Sequence, residues 1–272
     1  MQKRGKASLS TALINQRRGQ VTMFIIVAAV IVVGVVLFFL IKNEIIPGIG
    51  GGQEINPKSF LQVCVEDKIR ESVELIAIQG GYVENKLNRS FKFSDEKSPG
   101  DISYLCYNQN NYLPCVNQEP MLIQHLKSEI KNSISNEIRS CFDDLTKNLQ
   151  NKGYVVDATY RDFSVEMASG KVIINVDASL TLTKSGETTN QNLFTITFLS
   201  KFYNLAIVAQ EIVSQEAKYC NFEHLGYMLL YPQFDIDKFR TGDSTTIYTV
   251  TDRDSEERFR FAVRSCVIPP GF

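Results

Sequence analysis

The sequence predicts an α+β ectodomain on a single N-terminal transmembrane helix, and three patterns support this fold class. An uncharged apolar run occupies residues 21–41, apolar stripes at helical spacing dominate the chain up to Gly153, and apolar residues alternate with polar ones beyond it. Helices and strands that are segregated along the chain, without βαβ alternation, are typical of α+β domains. The sequence therefore predicts amphipathic helices plus antiparallel meanders.

The apolar run directly follows a basic leader, residues 1–20. About 20 apolar residues in a helix cross a hydrocarbon core of roughly 30 Å, so the run predicts a transmembrane helix over 21–42. Its exit, FFLIKNEIIPG, lacks a small-residue cleavage site, which favours a retained signal-anchor over a secretory signal peptide. The leader carries five basic and no acidic side chains, and basic residues resist translocation. We expect a single-pass protein of the cell membrane, with a cytoplasmic N-terminus and an extracytoplasmic C-terminal domain.

Residues 43–56 are rich in proline and glycine and predict a flexible tether. A helical lobe with a small hairpin is expected over 57–153. Its first helix begins with an Asn-Pro pair, which provides an N-cap and a preformed first turn, and ends at a Gly-Gly pair. The stretch ISYLCYNQNNYLPCV predicts the hairpin, and a longer amphipathic helix runs from near Pro120 to Gly153.

Residues 154–272 predict a lobe of antiparallel strands plus a helix. DFSVEM, KVIINVDASLTLT and NLFTITFL alternate with period two and predict a three-stranded meander. A third helix, roughly 201–219, follows Ser200 as its cap. QFDIDKFR, TTIYTVTD and ERFRFAVRSCVI then return to period two. In the last of these segments the phenylalanines and the arginines face opposite ways.

The charge distribution gives no support to a nucleic-acid partner. The chain has 29 basic and 30 acidic residues, and the leader contains five of the basic ones. The remainder holds 24 basic and 30 acidic side chains, a net charge of −6, with no clustered basic face. The expected partners are a membrane and other envelope or pilus-type proteins.

Six cysteines lie in the part of the chain that is expected outside the cytoplasm. An even number in an oxidising compartment indicates disulfide bonds, with buried free thiols as the alternative. The two helices that must pack to bury their stripes bring Cys64 to Cys141, and the hairpin brings Cys106 to Cys115. The remaining pair is Cys220 with Cys266. The sequence has no C-x-x-C pair, so the cysteine spacing typical of structural zinc sites and thioredoxin-like motifs does not occur.

The sequence offers little catalytic chemistry. His125 and His224 have no ligand-spaced partner, so a structural role is expected for each, and we predict no catalytic residue, metal or cofactor. The stretch TDRDSEER could hold calcium through its carboxylates, but it lacks the glycine and distal glutamate of an EF-hand. A solvated hairpin tip is therefore favoured for it.

Three arginines of the final strand could bind an anionic sugar or a surface polymer, or could pair with carboxylates on a solvated face: Arg258, Arg260 and Arg264. The solvated face is the favoured interpretation. Asn88 begins an N-R-S sequon and is a candidate N-glycosylation site.

The junction R-R-G-Q-V-T, directly before the apolar run, resembles the class III signal peptide of archaeal type IV pilin-like proteins. In that family a membrane peptidase cuts after the glycine, so the resemblance implies processing between Gly19 and Gln20. The family often has a glutamate at the fifth mature position, where this chain has Phe24. The segments GQVTMFIIVAAVIVV and ELIAIQGGY are also similar to single-span archaeal surface proteins, which implies a cell-surface location.

These observations favour a non-enzymatic, membrane-anchored cell-surface protein with a pilin-like, adhesion or envelope structural role. The alternative is an extracytoplasmic ligand-binding or accessory subunit of a membrane complex, which would show a concave pocket with converging polar groups. An envelope-acting enzyme is the third class, because carboxylate pairs leave no local signature. A tethered protein is favoured over a filament subunit, since the tether breaks the helix and the first apolar turns lack a carboxylate.

Overall fold

The computed structural model describes residues 26–28, 30–32, 56–85, 87–94 and 96–269. The chain divides into two units, Met1–Glu54 and Ile55–Phe272. All complete helices and strands of the described residues belong to the second unit, which is α+β.

The membrane part of the expected fold class requires correction. Among the described residues, no helix combines the length and the apolar character needed to cross a membrane. Within the expected span 21–42, the structure describes residues 26–28 and 30–32, and these are helical. Gly19, Gln20 and residues 43–55 lie outside the described residues.

Four helices occur in the second unit of the described chain: α1 (Pro57–Ile78), α2 (Leu122–Asn151), α3 (Phe202–Tyr219) and α4 (His224–Leu230). Asn56 caps α1, because its side-chain Oδ1 accepts hydrogen bonds from the backbone N–H groups of Lys58 at 3.0 Å and Ser59 at 3.2 Å. The helix ends where Gly80 has a φ of +77°. A Cβ there would lie 2.9 Å from the carbonyl oxygen of Ser103, so only glycine fits the turn.

The described residues contain nine strands: β1 (Asn88–Phe91), β2 (Gly100–Tyr107), β3 (Val116–Asn117), β4 (Val155–Ala168), β5 (Lys171–Lys184), β6 (Glu187–Leu199), β7 (Phe234–Arg240), β8 (Thr246–Asp252) and β9 (Arg258–Arg264). Strands β4, β5 and β6 form an antiparallel sheet in that order. The other sheet has the order β1-β2-β9-β8-β7, and β3 pairs with β2. All its pairings are antiparallel except that of β2 with β9, which is parallel.

Period-two burial fixes which face of each sheet meets the helices. In β5, every second residue from Val172 to Leu182 is buried, and this face joins the buried stripes of α1 and α2. In the other sheet, Phe259 and Tyr248 belong to the same cluster of buried side chains, which also contains the apolar stripe of α3. The core is therefore continuous from one sheet to the other, and the two expected lobes, 57–153 and 154–272, share it.

The expectation of disulfide bonds is confirmed. The structure has three bridges, and they coincide with the three pairs inferred from the sequence: Cys64–Cys141, Cys106–Cys115 and Cys220–Cys266. The first joins α1 to α2, the second joins β2 to the chain that enters β3, and the third joins the end of α3 to the residues after β9. Each bridge therefore connects two elements that also pack against the common core.

Candidate functional site

A shallow concave site lies on the face of β7, β8 and β9 that points away from α3. Because side chains alternate between the faces of a strand, Asp237, Thr249 and Arg260 align in one row across the three strands. The registers pair Asp237 with Thr249 and Thr249 with Arg260. This row places an acid, a hydroxyl and a guanidinium side by side.

A second row of the same composition lies two residues further along each strand. It consists of Asp235, Thr251 and Arg258, again in register. Asp235 is ion-paired outside the row, because its carboxylate accepts from Arg253 at 3.0 Å. The repetition of acid, hydroxyl and guanidinium gives the sheet face two parallel polar stripes.

An aromatic cluster borders the polar rows. Phe239 follows Asp237 on the same face of β7, and its ring centroid lies 5.2 Å from that of Phe91 and 5.8 Å from that of Phe93. Phe91 and Phe93 are themselves 4.8 Å apart in an edge-on arrangement. Ring pairs at these separations are favourable beyond their area burial. Together the three phenylalanines form an apolar wall at one end of the rows.

We call this site the trough. It encloses about 520 Å³ and is lined by Phe93, Asp235, Asp237, Lys238, Phe239, Thr249, Thr251, Arg258 and Arg260.

Arg260 is a fixed part of the trough floor. Its side chain is 10% exposed, Nη1 donates to Glu96 Oε1 at 2.5 Å, and Nε donates to Thr249 Oγ1 at 3.2 Å. The guanidinium also lies over the ring of Phe93, 4.2 Å from its centroid. These contacts satisfy the buried cation and attach Phe93 and Glu96 to the sheet.

The trough contains two charged side chains without a polar partner among the described residues, Arg258 and Asp237. Both side chains are exposed, and among the residues that the structure describes neither forms a hydrogen bond or an ion pair. Thr251, which separates Arg258 from Asp235, is half-buried. A guanidinium presents donors only and a carboxylate acceptors only, so the trough offers both kinds of hydrogen-bonding group to a ligand.

An ion pair between β1 and the β7–β8 turn positions the aromatic wall. The guanidinium of Arg89 donates to Asp243, and Thr241 Oγ1 donates to the same carboxylate at 2.5 Å. Burial opposes ionisation of Asp243, but hydrogen bonds from Thr241, Arg89 and the backbone of Thr245 outweigh it and lower its pKa to about 2. Because β1 contains Phe91, this turn holds the wall against the sheet.

The histidines and acidic residues of the sequence analysis lie outside the trough. His125 contacts the carbonyl oxygen of Gly81 through Nε2 at 2.9 Å, whereas His224 is the half-buried first residue of α4. Asp252 accepts three hydrogen bonds from residues 254 and 255. Glu257 accepts from Ser200 Oγ at 2.5 Å and from the backbone N–H of residue 201 at 3.0 Å. These carboxylates stabilise a turn and a helix start.

The remaining candidate residues are also placed. Asn88 begins β1, is half-buried, and its Nδ2 donates to the carbonyl of Asn85 at 2.5 Å. Arg264 lies outside the trough and donates hydrogen bonds to the carbonyl oxygens of residues 108 and 109. Among the described residues, one group of potential metal ligands is close enough to share an ion, Cys64, Glu137 and Cys141, but its two sulfurs form a disulfide.

Sequence reasoning considered two trough residues, Arg258 and Arg260, as binding residues but favoured a solvated face for them, and it missed the acids, threonines and phenylalanines. The signal was present as D-x-D-x-F in β7, T-x-T in β8 and R-x-R in β9. Each motif placed its residues on one face of its own strand. The registers that align the three motifs depend on turn geometry, which the motifs do not specify.

The fold and the trough together define a disulfide-bonded α+β domain with a polar, aromatic-bordered concave face. No protein-family model, curated protein or solved structure gives a significant match to this chain.

Proposed function

We propose that this chain is a non-enzymatic cell-surface protein with an adhesion role, and that the trough binds a saccharide. The observation that carries the proposal is the union of an aromatic wall with two polar rows that leave Arg258 and Asp237 unpaired. A sugar ring presents apolar C–H faces, which pack on phenylalanine, and neighbouring hydroxyls that donate to a carboxylate and accept from a guanidinium. The trough offers each of these groups within one concavity.

Three disulfide bonds support a location outside the cytoplasm. Such bonds persist in oxidising compartments and are rare where cellular thiols are kept reduced. All six cysteines lie in the unit that also contains the trough. An extracytoplasmic trough would face surface polymers of the same or a neighbouring cell.

Binding is favoured over glycoside hydrolysis by the environment of the two aspartates. Hydrolysis by a carboxylate pair requires one carboxyl group that burial keeps protonated. The side chain of Asp235 is 50% exposed and ion-paired with Arg253, and Asp237 is exposed. Neither aspartate therefore has the buried setting of a catalytic acid, and both can accept hydrogen bonds from a ligand.

The test is direct saccharide binding by the full chain, first on an array of neutral and acidic glycans and then by calorimetry. We expect Arg258→Met to weaken binding about tenfold or more, the effect of losing a charge-assisted hydrogen bond. Phe239→Ala is expected to weaken it as well. Arg240→Met is the matched control, because Arg240 is an exposed arginine of the same sheet on the opposite face of β7. Failure of every glycan to bind, or equal binding by the three variants, would refute the proposal.

A second function, accessory subunit of a membrane complex, is favoured by the surface around α4. That helix has no buried residue, and Leu225, Leu229 and Leu230 are 60%, 85% and 76% exposed. Beside it lies a cavity of about 800 Å³ between α3 and α4 that includes Ile207 and Tyr227. Apolar patches of this kind on a soluble surface mark interaction sites. In this case a co-purifying partner would be lost with Leu229→Ser and retained with Leu199→Ser, an equally exposed leucine of β6.

The processing site Gly19–Gln20 stays a prediction. It rests on the resemblance to pilin-like signal peptides, and N-terminal sequencing of the mature chain tests it. A mature N-terminus at Gln20 would support placement among processed surface proteins. A chain that retains residues 1–19 would remove that support and leave the saccharide proposal intact.

A further inference from the structure

Strand β6 has a free edge over its N-terminal half. Among the described residues, β6 pairs with β5 and with no other strand. Alternate backbone N–H and C=O groups along such an edge point outward without a strand partner, and they form a template for another chain. Residues 187–193 are exposed apart from Gln191, which is half-buried.

Elsewhere the edges of the same sheet are interrupted at particular residues. In the C-terminal half of β6, the backbone carbonyl of Thr197 accepts a hydrogen bond from Gln62 Nε2 of α1 at 3.3 Å. The opposite edge strand, β4, is irregular between Tyr160 and Asp162, and Lys131 of α2 forms an ion pair with Asp162 at 2.8 Å. Irregularities and charges of this kind prevent further strand pairing. From Thr188 to Leu193, β6 has no charged side chain, and the irregularity at this point of the pairing lies on β5.

After Glu187, the free half of β6 is also regular and uncharged. The irregularity in its pairing with β5 consists of one extra residue on β5, between Asp177 and Leu180, so β6 itself stays extended. Hydrogen bonds to β5 hold two of its side chains, Thr188 to Thr183 at 3.1 Å and Asn190 to Thr181 at 3.4 Å. From 188 to 193 the sequence TTNQNL contains no charge and no proline, although 22% of the residues of the chain are charged.

We propose that β6 of one copy pairs antiparallel with β6 of a second copy, about a twofold axis at Asn190. The two three-stranded sheets then become one continuous six-stranded sheet. In this register Asn190 faces its own copy, Thr188 faces Asn192, and Thr189 faces Gln191. All three kinds of pair are neutral and hydrogen-bonding, so no like charges meet across the axis.

The proposed contact closes on itself. An interface that uses the same surface on both copies satisfies both edges at once and stops at the dimer. If β6 of one copy paired instead with β4 of the next copy, the contact would repeat and build a fibre. The irregularity and the ion pair on β4 oppose that pairing. The dimer therefore satisfies the β6 edge of both copies without building a filament.

Cross-linking of the full chain tests the register. Residues directly opposite each other in an antiparallel pair have Cα atoms about 4.5–5.5 Å apart, within disulfide range. Under mild oxidation, Asn190→Cys is expected to give an interchain disulfide dimer on a non-reducing gel. Thr159→Cys is the matched control, since Thr159 is an exposed residue of the interrupted edge strand β4, and it should stay monomeric on the gel. Equal cross-linking of both variants overturns the proposal.

Sedimentation of the full chain in mild detergent provides an independent readout. The wild-type chain and Thr159→Lys are expected to be dimers, and Asn190→Lys is expected to lose the dimer because two ammonium groups would meet on the axis. The two lysine variants have every other surface in common, so association through another part of the chain would persist in both. A monomeric wild-type chain, or an Asn190→Lys variant that stays dimeric, overturns the inference. Neither result bears on saccharide binding.

Discussion

Removing the Cys64–Cys141 bridge should destabilise the fold far more than removing Cys106–Cys115. Both pairs are replaced by alanine, in separate variants of the full chain. The two bridges differ mainly in the length of chain they span, 77 residues against 9. Cys106, Cys115 and Cys141 are all buried, and Cys64 is half-buried, so the packing lost is similar in the two variants.

The magnitude follows from the chain entropy of the unfolded state. For separations of 77 and 9 residues, the loop-entropy relation gives losses of about 4.5 and about 2.6 kcal/mol at room temperature. The free energies of unfolding of the two variants should therefore differ by about 2 kcal/mol. In thermal unfolding this corresponds to roughly 4–8 °C of Tm for a domain of this size.

The assay is equilibrium unfolding in guanidinium chloride without reductant, followed by far-ultraviolet circular dichroism. The variant lacking Cys220 and Cys266 provides an internal check, because its separation of 46 residues predicts an intermediate loss of about 4.0 kcal/mol. Equal losses in the three variants, or the largest loss for Cys106–Cys115, would refute the entropic reasoning. In that case the bridges would act through local packing in the folded state.

Two further predictions concern polar contacts. The pKa of Asp243 is about 2 against an ordinary 3.8, so its contacts stabilise the fold above about pH 4 and this contribution is lost as the pH falls toward 2. Asp243→Asn should lower the free energy of unfolding by less than about 1 kcal/mol near neutral pH, because the side chain is 55% exposed. Acid unfolding of the wild-type protein and the variant checks this, and identical acid unfolding of the two proteins would show that the ion pair is unimportant. Tyr248 donates to the buried carboxylate of Glu216, so Tyr248→Phe should cost about 2 kcal/mol in urea unfolding. Tyr107→Phe is its control, since the Tyr107 hydroxyl has no hydrogen bond among the described residues, and an equal loss in both variants would count against the Glu216 contact.

The helices and the meander could be predicted because their signals are local. The Asn56-Pro57 start and the Gly-Gly stop bound α1 as expected, and the stripe from Pro120 to Gly153 contains α2. Period two in the region of β4 to β6 gave the antiparallel meander, whose neighbours are adjacent in sequence. In each case one stretch of chain contained both the pattern and its termination signals.

The sheet that contains the trough could not be predicted, because its central pair of strands, β2 and β9, is far apart in the sequence. β2 was expected in a hairpin, and that hairpin exists with β3, but its other edge pairs in parallel with β9 near the C-terminus. Strand β1, which brings Phe91 to the trough, has only four residues and no clear alternation. Helix α4 was also missed, because seven residues without a buried stripe give no helical signal. These features depend on tertiary contacts between segments far apart in the chain.

The parallel pairing of β2 with β9 has a consequence for how the protein matures. The meander can form from neighbouring segments as they emerge, but β2 must wait for a partner that is among the last strands to be made. Strand β9 also supplies Arg258 and Arg260, so a chain that is truncated before it retains the meander and has no trough. Ligand binding by the trough would thus require a finished molecule, and an incomplete chain would leave the edges of β2 and β8 that face β9 without a strand partner.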